Sequence, residues 1–180
     1  ELIKLANKEC LLSSTYEPSS KTKMKLRAAP GAGTMYLQSE CAEALAELFA
    51  GAEEAGYKLY LKSAYRAYKT QKTMYNNRLE RNNGKDDGWV SKPGASDHQT
   101  GLGCDVVPGS WKDKSMNSNM ASTPECQWMA EHCYEYGFVI RYPEDKQDIT
   151  EINYEPWHLR YVGKEVARYI WRNGLCLEEF

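Results

Sequence analysis

Apolar side chains recur at helical spacing in four segments of the chain. The clearest stripe begins after Ser39, a residue type that caps helices, and ends before Gly56, whose backbone freedom suits a helix end. Ser122, Pro124 and Glu125 stand in the order expected at a helix start, and Gly137 marks the end of that segment. The predicted helices cover about 39–55, 68–81, 122–137 and 164–172.

Shorter segments between these helices have the composition of β-strands. Residues 57–62 alternate polar and apolar side chains, as a half-buried strand does. Further strands are predicted at 103–107, 138–142 and 157–162, each bounded by glycine or proline turns. Because helices and strands alternate irregularly, we expect an α+β fold with a central, mainly antiparallel sheet flanked by helices. The remaining segments are predicted as an irregular N-terminal arm (1–35) and as loops (85–95 and 108–121).

Length and charge exclude several kinds of partner. A chain of 180 residues is most simply one domain, 1–180, whose core folds without a metal. The formal net charge of −2 does not indicate a basic surface that would bind nucleic acid. No apolar run approaches the roughly 18 residues needed to span a membrane. Because the chain opens at Glu1 and not Met, we expect a mature or trimmed form whose leader or anchor has been removed.

The cysteine pattern argues against a thiolate metal site. The six cysteines contain no CxxC pair, and an even number permits disulfides without requiring them. We expect buried free thiols, and one or two disulfides through Cys10 or Cys176 are the alternative.

Two of the three histidines, His98 and His158, stand in short motifs that also supply carboxylates suited to one metal ion. In the segment 96–105, glycines at 101 and 103 allow a tight turn that returns Asp105 beside His98. Neutral imidazole and carboxylate oxygen are ligands that zinc accepts at about 2.0–2.2 Å. Considered alone, this segment is equally well explained by a structural hydrogen bond between the two side chains.

A second histidine motif makes a metal site a better explanation than a structural hydrogen bond. Glu155 and His158 are three residues apart and would point to opposite faces of an ideal strand, but Pro156 forces an irregular backbone between them. A kink there lets His158 become a third ligand and leaves Glu155 beside the metal's water, where a general base belongs. The alternative is a surface glutamate before a buried Trp157-His158 pair. His132 has no companion motif and is predicted to be an ordinary histidine.

Arg66 ends the segment that follows the first predicted strand, and Gln71 lies five residues further on. An arginine at a strand end can clamp a carboxylate or hold a developing oxyanion. An arginine at this position is, by itself, more often explained by a surface salt bridge.

These motifs, in this order, resemble the VanY-type zinc D-alanyl-D-alanine carboxypeptidases. The resemblance rests on Tyr65-Arg66 with Gln71, on Ser96-x-His98-(x)6-Asp105, and on the segment from Glu155-Pro156-Trp157-His158 to Gly163. The segments 136–143 and 7–18 extend it over nearly the whole chain. The same peptidase group holds D,D-dipeptidases, L,D-carboxypeptidases and some phage endolysins.

The resemblance implies one zinc ion in a surface cleft, with Glu155 as catalytic base and the metal ligands His98, Asp105 and His158. It implies that the substrate is bound by Arg66, Ser96, Gln71, Tyr65 and Trp157. Two departures from the family pattern are visible. Asp97 stands where glutamate is usual, and Gly103-Cys104 stands where a small residue is commonly followed by an aliphatic one. Neither departure is a ligand, and Asp97 is expected to alter the hydrogen bonding around the ligands.

The function implied is removal of the terminal D-Ala from peptidoglycan stem peptides or their precursors. An L,D-carboxypeptidase on tetrapeptide stems, a D,D-dipeptidase and an endolysin-type endopeptidase are the alternatives among enzymes. A zinc-binding recognition module is the alternative outside them, and retention of Glu155 and Arg66 favours the enzyme. We expect an exported monomer in the cell envelope of a bacterium, where a membrane anchor in the full-length protein is an option. The sequence leaves open whether its role is wall remodelling or glycopeptide resistance.

Overall fold

A computed structural model describes all 180 residues, and it places the predicted helices and strands close to their expected positions. The helices are α1 (Ser39–Glu54), α2 (Tyr68–Arg81), α3 (Pro124–His132), α4 (Gln147–Thr150) and α5 (Lys164–Asn173). The strands are β1 (Thr22–Lys23), β2 (Tyr36–Leu37), β3 (Leu59–Ser63), β4 (Gly103–Pro108), β5 (Phe138–Ile140) and β6 (His158–Tyr161).

Four of the strands form the central sheet in the order β3-β4-β6-β5, and every neighbouring pair is antiparallel. The register places Asp105 of β4 directly opposite His158 of β6, and Ser63 of β3 on the other side of Asp105. A register irregularity between Leu61 and Ser63 bends the end of β3 at this point. The α+β class and the antiparallel sheet predicted from the sequence are confirmed.

Helix α1 packs its apolar stripe into the main core of 23 buried residues. Leu45 and Leu48 are fully buried there, and each such side chain contributes about 1.5–3 kcal/mol through the hydrophobic effect. The predicted cap was wrong by one residue, because the Gln38 side chain accepts the hydrogen bond from the Cys41 N–H and Ser39 already lies in the helix.

The third predicted helix is shorter than expected. Thr123, and not Ser122, caps α3, since the Thr123 hydroxyl accepts from the Cys126 N–H. The α-helix ends at His132, and a 3₁₀ turn (Cys133–Tyr136) leads to Gly137 with its positive φ of 91°. The tighter turn seats the Tyr136 ring against Gly51 of α1, where a Cβ would lie 1.9 Å from the Tyr136 hydroxyl.

The N-terminal arm is more ordered than the sequence indicated. It contains the short β1–β2 pair, and Ala28 forms a parallel bridge with Leu61 at the edge of the central sheet. The segment 85–95 has no regular structure, as predicted, whereas 108–121 contains 3₁₀ turns. All six cysteines are free; Cys10 is exposed and the other five are buried. None of the helices has the length and apolar character required to cross a membrane.

Candidate metal centre and active site

Three side chains with metal-binding groups meet at one end of the sheet. His98 lies in a 3₁₀ turn (Asp97–Thr100), Asp105 in β4, and His158 at the start of β6. All three are buried, and their ligand atoms lie within 4.8 Å of one another. Ser96 caps the 3₁₀ turn by accepting the His98 N–H at 3.2 Å, and Gly101 ends it in the left-handed conformation.

The two imidazoles face Asp105 through different nitrogens. His98 Nε2 lies 3.4 Å from Asp105 Oδ2, while the Nδ1–H of His98 donates to the Ala64 carbonyl at 2.7 Å. His158 Nδ1 lies 3.2 Å from Asp105 Oδ1. That carboxylate oxygen is buried and accepts no hydrogen bond, a deficit that a cation would remove. Two imidazole nitrogens and one carboxylate oxygen with room for a further ligand suit zinc.

Asp97 lies behind the candidate metal site, on the far side of the His158 ring from Asp105. Its Oδ2 faces His158 Nε2 at 3.5 Å, and its two oxygens pair with Arg141 and Arg160. Burial alone would raise the pKa of Asp97, but these two guanidinium groups hold it well below its usual range. Sequence reasoning marked Asp97 as a departure from the family but missed both arginines, because only the folded sheet brings them to it.

A turn at residues 156–157 brings Glu155 to the same side as His158, as the proline suggested. The His158 N–H donates to the Glu155 carbonyl, and Glu155 Oε2 lies 3.6 Å from His158 Nδ1. Burial raises the pKa of Glu155 to about 8 in the metal-free protein, and Asp105 adds to this effect while His158 opposes it. A buried carboxyl with a raised pKa beside a metal site has the properties of a general base that works near neutral pH.

Arg66 points into the same cleft and is held rigidly. Its guanidinium donates to Gln71 Oε1 at 2.9 Å and to Ser63 Oγ at 3.0 Å, and its backbone N–H donates to the His98 carbonyl. Gln71 is itself buried and donates to the Ser91 carbonyl at 2.6 Å. Burial lowers the pKa of Arg66, and the nearby Asp105 and Glu155 oppose that shift, so the group stays cationic.

The surrounding cleft has a volume of about 460 Å³. Trp157 forms part of its wall and stacks on Trp89 at a centroid distance of 6.4 Å. The structure therefore brings together every predicted site residue except Tyr65, whose ring does not line the cleft and lies under the Lys21 ammonium group. The cleft residues that sequence reasoning did not name are Met74, Arg78, Trp89, Val90, Ser91, Met116, Asn117 and Tyr142.

The segment 85–95, predicted as a loop, forms one wall of this cavity through Trp89 and Ser91. It is anchored at its start by Asp87, which accepts from Arg78 Nε at 2.8 Å. The Asn153 amide also donates to the Asp87 carbonyl. The wall is thus fixed against α2 and against the segment that precedes Glu155. Met116 and Asn117, from the other predicted loop, also line the cavity.

Two histidines and an aspartate that meet at one end of an antiparallel sheet, beside a buried glutamate, have the arrangement of a single-metal hydrolase site. The chain belongs to the VanY family of D-alanyl-D-alanine carboxypeptidases, whose family model matches residues 34–164. A Bacillus subtilis relative, YodJ, is 39% identical over 182 residues, an alignment covering 99% of this chain. The chain spans 66% of the length of that relative.

Two solved structures show the same fold. The LdcB LD-carboxypeptidase, described with the molecular basis of peptidoglycan recognition, has a TM-score of 0.90 and 40% identity. That match covers 97% of this chain and 83% of LdcB. A mutant of the vancomycin resistance D,D-pentapeptidase VanY from a VanB-type cassette, in complex with Zn(II), has a TM-score of 0.81 and 28% identity. It covers 99% of this chain and 97% of the VanY chain.

Proposed function

We propose that this protein is a zinc-dependent carboxypeptidase that releases the terminal D-Ala from peptidoglycan stem peptides or their precursors. The observation that carries the proposal is the convergence of a His–Asp–His ligand set, a buried glutamate and a rigid arginine on one cleft. His98 Nε2, Asp105 and His158 Nδ1 would hold the ion. A recognition module has no need of the last two groups, Glu155 and Arg66.

When bound, zinc would polarise the scissile carbonyl and lower the pKa of its water towards about 7. Glu155 takes the proton from the attacking water and later delivers it to the departing amino group of D-Ala. Arg66 contributes a fixed positive charge, which binds the terminal carboxylate or stabilises the negative charge that develops on the carbonyl oxygen. Ser96 and Trp157 line the cleft beside these groups and limit how the peptide can lie.

The substrate proposed is a peptide ending in D-Ala-D-Ala, which makes the enzyme a D,D-carboxypeptidase. A second candidate is an L,D-carboxypeptidase acting on tetrapeptide stems. The greater likeness to LdcB than to VanY, in both identity and TM-score, favours this second candidate. The two reactions need the same zinc chemistry and differ only in the residue that precedes the scissile bond.

The proposed place of action follows from the substrate. Peptidoglycan lies in the bacterial cell envelope, so we propose an extracytoplasmic enzyme that acts as a monomer. An anchor in the full-length protein would be compatible with this location.

The test is an assay of D-Ala release by the zinc-loaded protein. Synthetic pentapeptide, tetrapeptide and free D-Ala-D-Ala are supplied in parallel, with the Glu155→Gln variant as the matched inactive control. We expect release from the pentapeptide and none from the control. Release from the tetrapeptide alone would assign the L,D activity, and release from the dipeptide alone would assign a D,D-dipeptidase. A zinc-loaded protein that hydrolyses none of the three would refute the proposed function.

A further inference from the structure

A group of four charges, three of them fully buried, ends on the proposed metal ligand His158. Asp97, Arg141 and Arg160 are fully buried, and Glu178 joins them from the C-terminal turn Leu177–Glu179. The group contains two guanidinium groups and two carboxylates, so it is neutral as a set. Charges this deeply buried persist only when each has its partners. The position of each member is therefore fixed by the others.

Asp97 is the member that faces the metal centre. Its Oδ1 accepts from Arg160 Nη1 at 2.7 Å, and its Oδ2 lies 2.8 Å from Arg141 Nε. The same Oδ2 lies 3.5 Å from His158 Nε2, a buried ring nitrogen that has no hydrogen-bond partner. The Asp97 carboxylate is thus the acceptor available to a proton on that nitrogen.

The two arginines are anchored to the terminal segments of the chain, and both contact the N-terminal arm. Arg160 donates to the carbonyls of Leu2 and Lys4 in the N-terminal arm, at 2.8 and 2.7 Å. Arg141 donates to both carboxylate oxygens of Glu178, at 2.7 and 2.9 Å. Both guanidinium groups therefore have fixed directions, and Asp97 cannot turn away from the histidine without losing its own contacts to Arg141 Nε and Arg160 Nη1.

We infer that Asp97 is a positioning residue for His158: its carboxylate accepts the Nε2 proton, so that the Nδ1 lone pair points towards Asp105 and the metal. This inference rests on the proposed function, because it assigns Asp97 a part in zinc binding. The other histidine ligand, His98, is set by a neutral backbone carbonyl, that of Ala64, and carries its proton on the opposite nitrogen. The two histidines therefore bind as opposite tautomers. His98 donates its proton to a neutral carbonyl, and His158 donates its proton to a charged carboxylate. Such a carboxylate also increases the basicity of the ligand.

The decisive variant is Asp97→Asn, which keeps the size of the side chain and removes its charge. We expect its zinc affinity, measured by competition with a chromophoric chelator, to fall by about 10- to 100-fold. The chain has three histidines, so their ring nitrogens can be assigned by ¹⁵N NMR in the metal-free protein. At a pH where the rings are neutral, the parent should show the Nε2–H tautomer for His158, and the variant should lose that preference.

A folded Asp97→Asn variant with the affinity and tautomer of the parent would overturn the inference. If the Asp97→Asn variant does not fold, the Glu178→Gln variant tests the inference in its place. This change removes the charge from the far end of the group, and Glu179→Gln, in the same turn but paired with Lys146, is its matched control. Weaker zinc binding by Glu178→Gln alone supports the inference, and equal affinity of the two variants overturns it. A parent protein that binds no zinc would refute the proposed function, while the tautomer measurement would still test the role of Asp97.

Discussion

The role of Arg66 can be tested through the contacts that hold it. Arg66→Ala removes a cationic donor from the cleft, and loss of one such donor typically costs about 3 kcal/mol of transition-state stabilisation. We therefore expect kcat/KM for D-Ala release to fall by about 150-fold. Gln71→Leu leaves the arginine in place but removes the acceptor at 2.9 Å, at a cost of about 1–3 kcal/mol. Because Gln71 is expected to act through Arg66, the second change should cost little more once the arginine is absent.

The assay is steady-state D-Ala release by the two single variants and the double variant, with zinc content checked in each. Arg168→Ala, which removes an arginine from the exposed face of α5, is the matched control and should behave as the parent. If Arg66 binds the terminal carboxylate in the ground state, KM rises; if it stabilises the developing oxyanion, kcat falls. An unchanged kcat/KM in Arg66→Ala would remove this residue from the site. Equal losses from Gln71→Leu in both backgrounds would show that Gln71 does not act through Arg66.

Further predictions concern the base, the metal and pH. Glu155→Gln should retain zinc and lose activity by about 10²–10⁴-fold; a zinc-loaded variant with the turnover of the parent would exclude Glu155 as the base. Removal of zinc by a chelator should abolish activity reversibly but leave the helical circular dichroism signal, because the core of 23 residues is built without the metal; loss of the fold would contradict this. Zinc affinity should rise with pH by about tenfold per unit up to about pH 9. Although burial alone would lower the pKa of His158, the neighbouring carboxylates of Asp105 and Asp97 raise it to about 9, so zinc must displace a proton. The stability that this protonated ring gives the metal-free protein is complete below its ordinary pKa of 6.5 and is lost as pH rises through about 9. A zinc affinity that does not change between pH 6 and 8 would refute the reasoning.

The sequence was informative wherever the signal is local. Apolar periodicity located α1, and the prolines and glycines located turns, because both act within a few residues. The approach of Glu155 to His158 was also predictable, since Pro156 excludes a regular strand between them. The caps were displaced by one residue because Gln38 and Thr123 compete with their serine neighbours for the same N–H groups.

What could not be predicted depends on contacts between distant parts of the chain. The pairing of Arg141 and Arg160 with Asp97 spans strands and a turn, and no local pattern distinguishes these arginines from surface ones. Trp89 lies in a loop whose path is set by the Arg78–Asp87 pair. The prediction that Tyr65 lines the cleft was wrong. Side chains of adjacent residues in an extended backbone point to opposite sides, so Tyr65 points away from the cleft that Arg66 enters.

The pairing of Asp105 with His158 across β4 and β6 makes hydrolysis depend on strand alignment. Side chains alternate between the two faces of a sheet, so a shift of one strand by a single residue would send the aspartate to the far face. No partly aligned sheet can therefore assemble a working centre. If the proposed function holds, a newly made chain has no hydrolytic activity until β4 and β6 have paired in the native register.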